Sequence, residues 1–155
     1  MLSRVVRWSE FEAAAPELAA RARALFEAQK HLTIATLRRD GSPRISGIEC
    51  VFEDGDLWFG SMGGAVKALD LRRDPRFALH CGTGDSARWE GNPALWQGDA
   101  KLSGRAEEDV SDDGGSHRFR AEIEEVVTVR LGGDPPDHML IDSWREAEGL
   151  RQFRR

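Results

Sequence analysis

Apolar residues recur along the chain at two spacings, and the change from one to the other divides it. Leu18, Ala22, Leu25 and Phe26 fall three or four residues apart, the spacing of one face of a helix. Pro16 suits the first turn of that helix. Ahead of it, Ser9 and Glu12 stand at capping-box spacing and predict a shorter helical piece. From His31 the spacing falls to two. "HLTIATL" sets Leu32, Ile34 and Thr36 against Thr33, Ala35 and Leu37, which predicts a strand. Asp40-Gly41 and Asp54-Gly55 are hairpin signals, so "RISGIECVF" and "DLWFG" become the second and third strands of a meander over 31–60. Gly47, inside the second strand, marks a bulge or a place where something approaches the backbone closely.

A short helix is expected from about Ala65 to Arg73. Asp74-Pro75 ends it, because the residue before a proline avoids helical geometry. "RFALHC" is a fourth strand and "GTGDSARWEGNP" a loop. "ALWQGDAKLSGRAEE" is a long strand with glycines at 98 and 104 that can bend it, and "DVSDDGGSH" an exposed acidic segment. "EIEEVVTVRL" is a sixth strand, "GGDPPD" a turn and "HMLIDSW" a seventh, and the tail from 145 to 155 reads as polar and basic. Six or seven strands joined mostly by short turns favour an antiparallel barrel over a βαβ sheet. The length of 155 residues favours one domain over 1–155. Its parts are a helical segment over 1–30, a barrel over 31–144 and the basic tail. A domain of this size buries a core without disulfide staples.

Composition narrows the function classes. Apolar residues make up 40% and charged residues 32%, with a net charge of −5; this argues for a soluble protein and against a general nucleic-acid binder. Cys50 and Cys81 lie in apolar strand-like runs, outside any metal-ligand spacing, and read as reduced thiols of a cytoplasmic protein. No secretory leader is visible, and no stretch has the length of a membrane span. The chain has no tyrosine, and its four histidines, 31, 80, 117 and 138, show no paired spacing. No serine lies in a nucleophile elbow. Metal binding, acyl transfer and glycoside hydrolysis therefore have little support.

What remains is "LWFGSMGGAVKALDLRRDPR". Ser61 ends a strand, Gly63 and Gly64 let backbone amides approach an anion, and Lys67 in the next first turn can neutralise a phosphate. The same letters also read as an ordinary turn with a solvated lysine. Arg44 begins the strand that pairs with "DLWFG", which brings it towards Ser61 and Lys67, and its fork suits a phosphate. The other reading of Arg44 is a strand-edge arginine in water.

Five stretches in order, "TIATLRRDGSPRISGI", "DGDLWFGS", "KALDLRRDPRFAL", "GDAKLSGRAEE" and "HMLIDSWREAEGLRQFR", make the chain resemble the flavin-binding split-barrel proteins related to pyridoxamine 5'-phosphate oxidase. The resemblance implies a mainly β fold with flanking helices, a six-stranded antiparallel split β-barrel. It implies a homodimer with flavin mononucleotide (FMN) in a groove at the dimer interface, and a small-molecule substrate. Carried over by position, Arg44 and Lys67 would grip the phosphate with Ser61 as a hydroxyl partner. Ile45, Ser46 and Gly47 would offer backbone to the ring, with Gly60 and Met62 flanking. Trp144 and Arg154 would reach the cofactor from the partner subunit, and Gln97 or Asp99 would match a cofactor-touching glutamine.

The chain also departs from the oxidase. Glu49 falls at or near the place of an oxidase lysine, the substrate tyrosine is missing, and "GLRQFRR" offers arginine without the family's histidine. Oxidation of pyridoxamine phosphate is therefore not expected. The first reading is an FMN-dependent oxidoreductase with no catalytic side chain assigned. A second keeps the fold but takes the 8-hydroxy-5-deazaflavin coenzyme, with Arg72, Arg73 and Arg76 meeting its acidic tail. A third is a non-catalytic flavin- or haem-binding protein, with His138 as the candidate haem ligand. Trp89 and Trp96, in the loop over 82–96, are candidates for stacking on a substrate or ring.

Overall fold

Alternating burial along the strands decides the architecture. The structure, a computed structural model, describes residues 3–82, 91–110 and 115–155. In β1 (Leu32–Leu37) the buried residues are Leu32, Ile34 and Thr36, the alternate set expected of a half-buried strand. β2 (Pro43–Glu53) and β3 (Asp56–Ser61) complete the meander. α3 (Val66–Arg73) follows, then β4 (Arg76–His80), β5 (Asp99–Glu108), β6 (His117–Gly132), β7 (His138–Arg145) and β8 (Gly149–Arg154). All neighbours pair antiparallel. β4 joins the outer flank of β1 and β5 joins β4. The ring closes where β6 meets β3, from Trp58 opposite Arg120 to Ser61 opposite His117. The result is a closed six-stranded antiparallel barrel, extended by β7 and β8.

One strand makes both the barrel and the extension. β6 keeps β5 on one flank along most of its length. Its other flank holds β3 over residues 117–120 and β7 from Glu125 onward. The pairing with β5 slips between Ser103 and Gly104, a bulge of the kind that bends a strand. A Cβ at Gly104 would lie 1.8 Å from the Glu122 carbonyl oxygen, so the two backbones approach here only because the residue is glycine.

The first two helices lie against the barrel. α1 (Trp8–Ala14) and α2 (Pro16–Glu27) bury Trp8, Phe11, Leu18, Ala19, Ala22 and Phe26, with α2 against β5, β6 and β2. The N-terminal cap sits two residues before its expected place. Glu10 accepts from the Arg7 N–H at 2.8 Å, while the Ser9 N–H donates to the Gly55 carbonyl at 2.9 Å. The hairpin turn over 54–55 therefore claims the amide of the expected cap residue.

Three further expectations are corrected. The described residues form eight strands where six or seven are expected. The tail read as polar and basic is β8, with Leu150 opposite Trp144 and Phe153 opposite Ile141; Gln152 donates to the buried Asp142 at 2.7 Å. β6 starts five residues before the expected Glu122, because His117 and Phe119 are themselves inward and buried. The segment 111–114, read as acidic and exposed, lies outside the described residues, as does Trp89.

Candidate functional site

The site begins where β3 stops. The last β2–β3 pair is Glu49 with Gly60, so β2 from Pro43 to Ile48 has β1 on one flank and, among the described residues, no strand on the other. The turn after β3 and the start of α3 run past this stretch. Lys67, in the first turn of α3, donates from Nζ to the Gly47 carbonyl at 2.8 Å. Alternate residues of a strand turn their backbone groups to the same flank, so the N–H and C=O of Ile45 face the side of Lys67 too. No bulge occurs at Gly47.

Arg44 is held from beneath. Its Nε donates to Asp70 Oδ2 at 2.7 Å, which leaves its two terminal nitrogens outside that bond. Asp70 is 2% exposed and also accepts from Thr36 Oγ1 at 2.8 Å and from Arg73 at 2.9 Å. Burial alone would raise the Asp70 pKa, but the bonds from Arg44, Arg73 and Thr36 outweigh it and hold the carboxyl below its usual range. One carboxylate thus ties β1, β2 and α3 together under Arg44.

Around these cations lie an orphaned hydroxyl and exposed apolar groups. Ser61 Oγ is buried and has no hydrogen-bond partner among the described residues. Ile45 is 75% exposed and Met62 83%, unusual for residues of this size. Arg44 lies five positions before Glu49 on β2, about 16 Å along the strand, so Arg44 and Ser61 mark the ends of a strip with Lys67 between them. The meander brings Arg44 towards Ser61, as its strand order predicts, and the β2–β3 register leaves the two several residues apart along β2.

A groove of about 400 Å³ opens next to Ser61, lined among others by Glu49, Val51, Trp58, Gly60 and His117. Glu49 is exposed there, 3.6 Å from His31 and 3.9 Å from Lys30. Cys50 also lines it, and burial pushes its thiol up to about 12. A thiol that stays protonated is a poor nucleophile, so iodoacetamide at neutral pH is expected to leave Cys50 unmodified in the folded protein. Peptide mapping by mass spectrometry checks this; labelling at the rate of a free cysteine would contradict the partly buried placement.

The glycine pair does a different job from the one expected. A Cβ at Gly63 would lie 2.0 Å from the Gly115 carbonyl oxygen. Gly64 has φ +74° and donates its N–H to His117 Nε2 at 3.1 Å. Gly63 permits the close approach to the segment before β6, Gly64 supplies the left-handed backbone of the turn, and the Gly64 amide is taken by β6. In the sequence His117 reads only as an unpaired histidine at the end of an acidic segment. The signal was its place in "HRFRAEI", where His117, Phe119, Ala121 and Ile123 alternate inward.

Other expected residues lie elsewhere. Trp144 is 3% exposed and packs on Phe11 at 4.9 Å between ring centroids. That ring is part of this chain's own core, not one free to reach a partner's cofactor. Arg154 is exposed at the end of β8, opposite Leu140. Arg72 is bound by both oxygens of Glu108, Arg76 by Asp74, and Arg73 by Asp70 and the Leu37 carbonyl. The basic surface expected of these three is thus largely engaged within the fold. Gln97 is exposed, and Asp99 lies 3.6 Å from His80. His138 is held by Asp137 at 2.5 Å, with its Nε2 so close over Gly132 that a Cβ there would lie 2.4 Å from it. Among the described residues, no group of three or more His, Cys, Asp or Glu is placed to hold a metal ion, and no helix is long and apolar enough to cross a membrane.

This geometry meets the family comparison directly. The family model for pyridoxamine 5'-phosphate oxidase matches residues 18–142, a span that contains the strip and the ring that carries it. The chain belongs to the pyridoxamine 5'-phosphate oxidase family. Solved structures agree on the fold. A pyridoxamine 5'-phosphate oxidase-related, FMN-binding protein from Nostoc punctiforme superposes with a TM-score of 0.61 at 12% identity, covering 94% of this chain and 96% of that one. PhzG from Burkholderia lata, in complex with tetrahydrophenazine-1-carboxylic acid, superposes with a TM-score of 0.58 at 13% identity, covering 94% and 91%. No curated protein matches the chain in sequence. In this member of the pyridoxamine 5'-phosphate oxidase family, Arg44 lies on β2, Lys67 bonds to the Gly47 carbonyl on the same strand, and Glu49 is the residue of that strand at which the β2–β3 pairing ends.

Proposed function

We propose that the chain binds FMN along the strip from Arg44 to Ser61 and acts as an oxidoreductase on a small molecule. It would do so as a homodimer with the cofactor at the interface. The observation that carries the reading is the pairing of Arg44 on Asp70 with Lys67 on the Gly47 carbonyl, both on the β2 stretch that β3 leaves open. Two cations fixed in advance lose little freedom when a phosphate arrives.

The residues present fit the cofactor. Arg44 retains two terminal nitrogens and Lys67 further protons for a phosphate. Ser61 Oγ, buried without a partner, is a polar atom of the kind a ligand satisfies. The backbone of Ile45 and Gly47 faces the same side, and exposed Ile45 and Met62 offer apolar cover to a flat ring or a second chain. When bound, the flavin supplies the hydride chemistry. The protein holds its phosphate, orients it and shields it from water. Glu49 in place of a lysine, together with the absence of tyrosine, supports a substrate other than pyridoxamine phosphate. The neighbour holding a reduced phenazine acid supports a ring-shaped organic acid as one class to test.

Titration of the purified protein with FMN, followed by flavin fluorescence, tests the reading. Saturable quenching at one FMN per chain is expected, with riboflavin binding far more weakly. Binding of 8-hydroxy-5-deazaflavin coenzyme with no response to FMN would overturn the choice of cofactor.

A further inference from the structure

We infer that His117 is a positioning residue for this site, setting the turn that joins Ser61 to Lys67. The inference rests on the FMN reading above.

The hydrogen bonds fix the ring's protonation. Gly64 N–H can only donate, so His117 Nε2, 3.1 Å away, accepts and carries no proton. The neutral ring then has its proton on Nδ1, which donates to Glu108 Oε1 at 3.1 Å. Glu108 is itself locked by Arg72 through bonds of 2.7 and 2.8 Å. The chain Arg72–Glu108–His117–Gly64 therefore runs from α3 through β5 and β6 back to the turn that precedes α3.

This chain acts on a short segment. Between Ser61 and Lys67 lie five residues, and the glycine pair among them is pinned twice. Gly63 rests on the Gly115 carbonyl and Gly64 on His117. His117 is opposite Ser61 in the β3–β6 ladder, is buried, and stacks on Phe119. Ser61 and the turn are thus referenced to one rigid point. A shift of the turn moves Lys67 relative to Ser61, and small misplacements of binding groups are costly.

Two variants separate this role from simple core packing. His117→Gln keeps an acceptor within reach of Gly64, whereas His117→Phe keeps ring bulk and removes the acceptor. The Phe variant is expected to bind FMN about tenfold more weakly, the worth of one hydrogen bond. The Gln variant is expected to return to within a few-fold of the parent. Hydrogen exchange at the Gly64 amide should rise in the Phe variant only. Equal affinity in parent and Phe variant, or equal loss in both variants, overturns the inference. Should the Phe variant not fold, the parent protein decides. FMN is expected to slow Gly64 amide exchange, and an unchanged rate overturns the inference. Arg44→Ala with Lys67→Ala serves as the control. If that pair leaves FMN affinity intact, the FMN reading fails. If affinity is lost there but not in the Phe variant, only the role of His117 fails.

Discussion

Asp70→Ala is expected to destabilise the protein by about 3 kcal/mol, a typical cost when one partner of a buried ion pair is removed. The figure sits at the low end because Arg44 and Arg73 are each about a third exposed and can turn towards water. Thr36 cannot; it is buried, and its hydroxyl loses its acceptor. In a chain of this length the loss corresponds to a fall in melting temperature of about 6–12 °C. Urea unfolding and thermal melts check it, and a variant as stable as the parent would show that Asp70 does not tie the three elements together. The acid limb has a defined sign. The folded pKa of Asp70 lies below its ordinary value. Its contribution is therefore complete above the usual carboxylate range and is lost as pH falls through the folded pKa. The parent should lose stability in that window more steeply than Asp70→Ala does.

The double replacement Arg44→Ala, Lys67→Ala is expected to weaken FMN binding by about 10²- to 10⁴-fold. Each cation contributes a hydrogen bond to a charged group, roughly 1.5–3 kcal/mol, and about 1.4 kcal/mol is a factor of ten. The loss should be confined to the phosphate, so riboflavin affinity is expected to change little. Arg44→Ala also leaves Asp70 without one of its donors, so titrations belong well below the variant's melting point. Full FMN occupancy in the purified double variant would falsify the phosphate assignment.

Much of the fold was legible because local pattern and tertiary environment agree. β1 buries the three residues its alternation picks out, the two Asp-Gly signals are hairpin turns, and α3 ends where Pro75 requires. The misreadings have a common cause, since each concerns contacts between distant segments. Gly63 and Gly64 look like an anion nest until residues 115–117 are brought against them. Arg72 looks free until Glu108, on β5, claims it. "GLRQFR" looks like a charged tail until β7 offers it a partner strand. Of the candidate site, Lys67 and Arg44 could be picked out in the sequence as a pair of cations near one stretch of β2. Asp70, which holds Arg44, could not be picked out, because nothing local announces that an aspartate will be buried.

The closure of β3 on β6 also bears on synthesis. A ribosome finishes β3 long before β6 exists, since Ser61 and the His117 it faces are far apart in the chain. Until β5 and β6 emerge, the strands at hand are β3, β2, β1 and β4, and a sheet of these four alone would have both edges open. Open edges invite pairing with other chains. The same late strand that removes them brings His117 to Gly64. A chain halted before residue 117 would hold Arg44, Ser61 and Lys67 yet lack the contact that sets their spacing. Competence to hold a cofactor would then arrive together with protection from aggregation, late in translation.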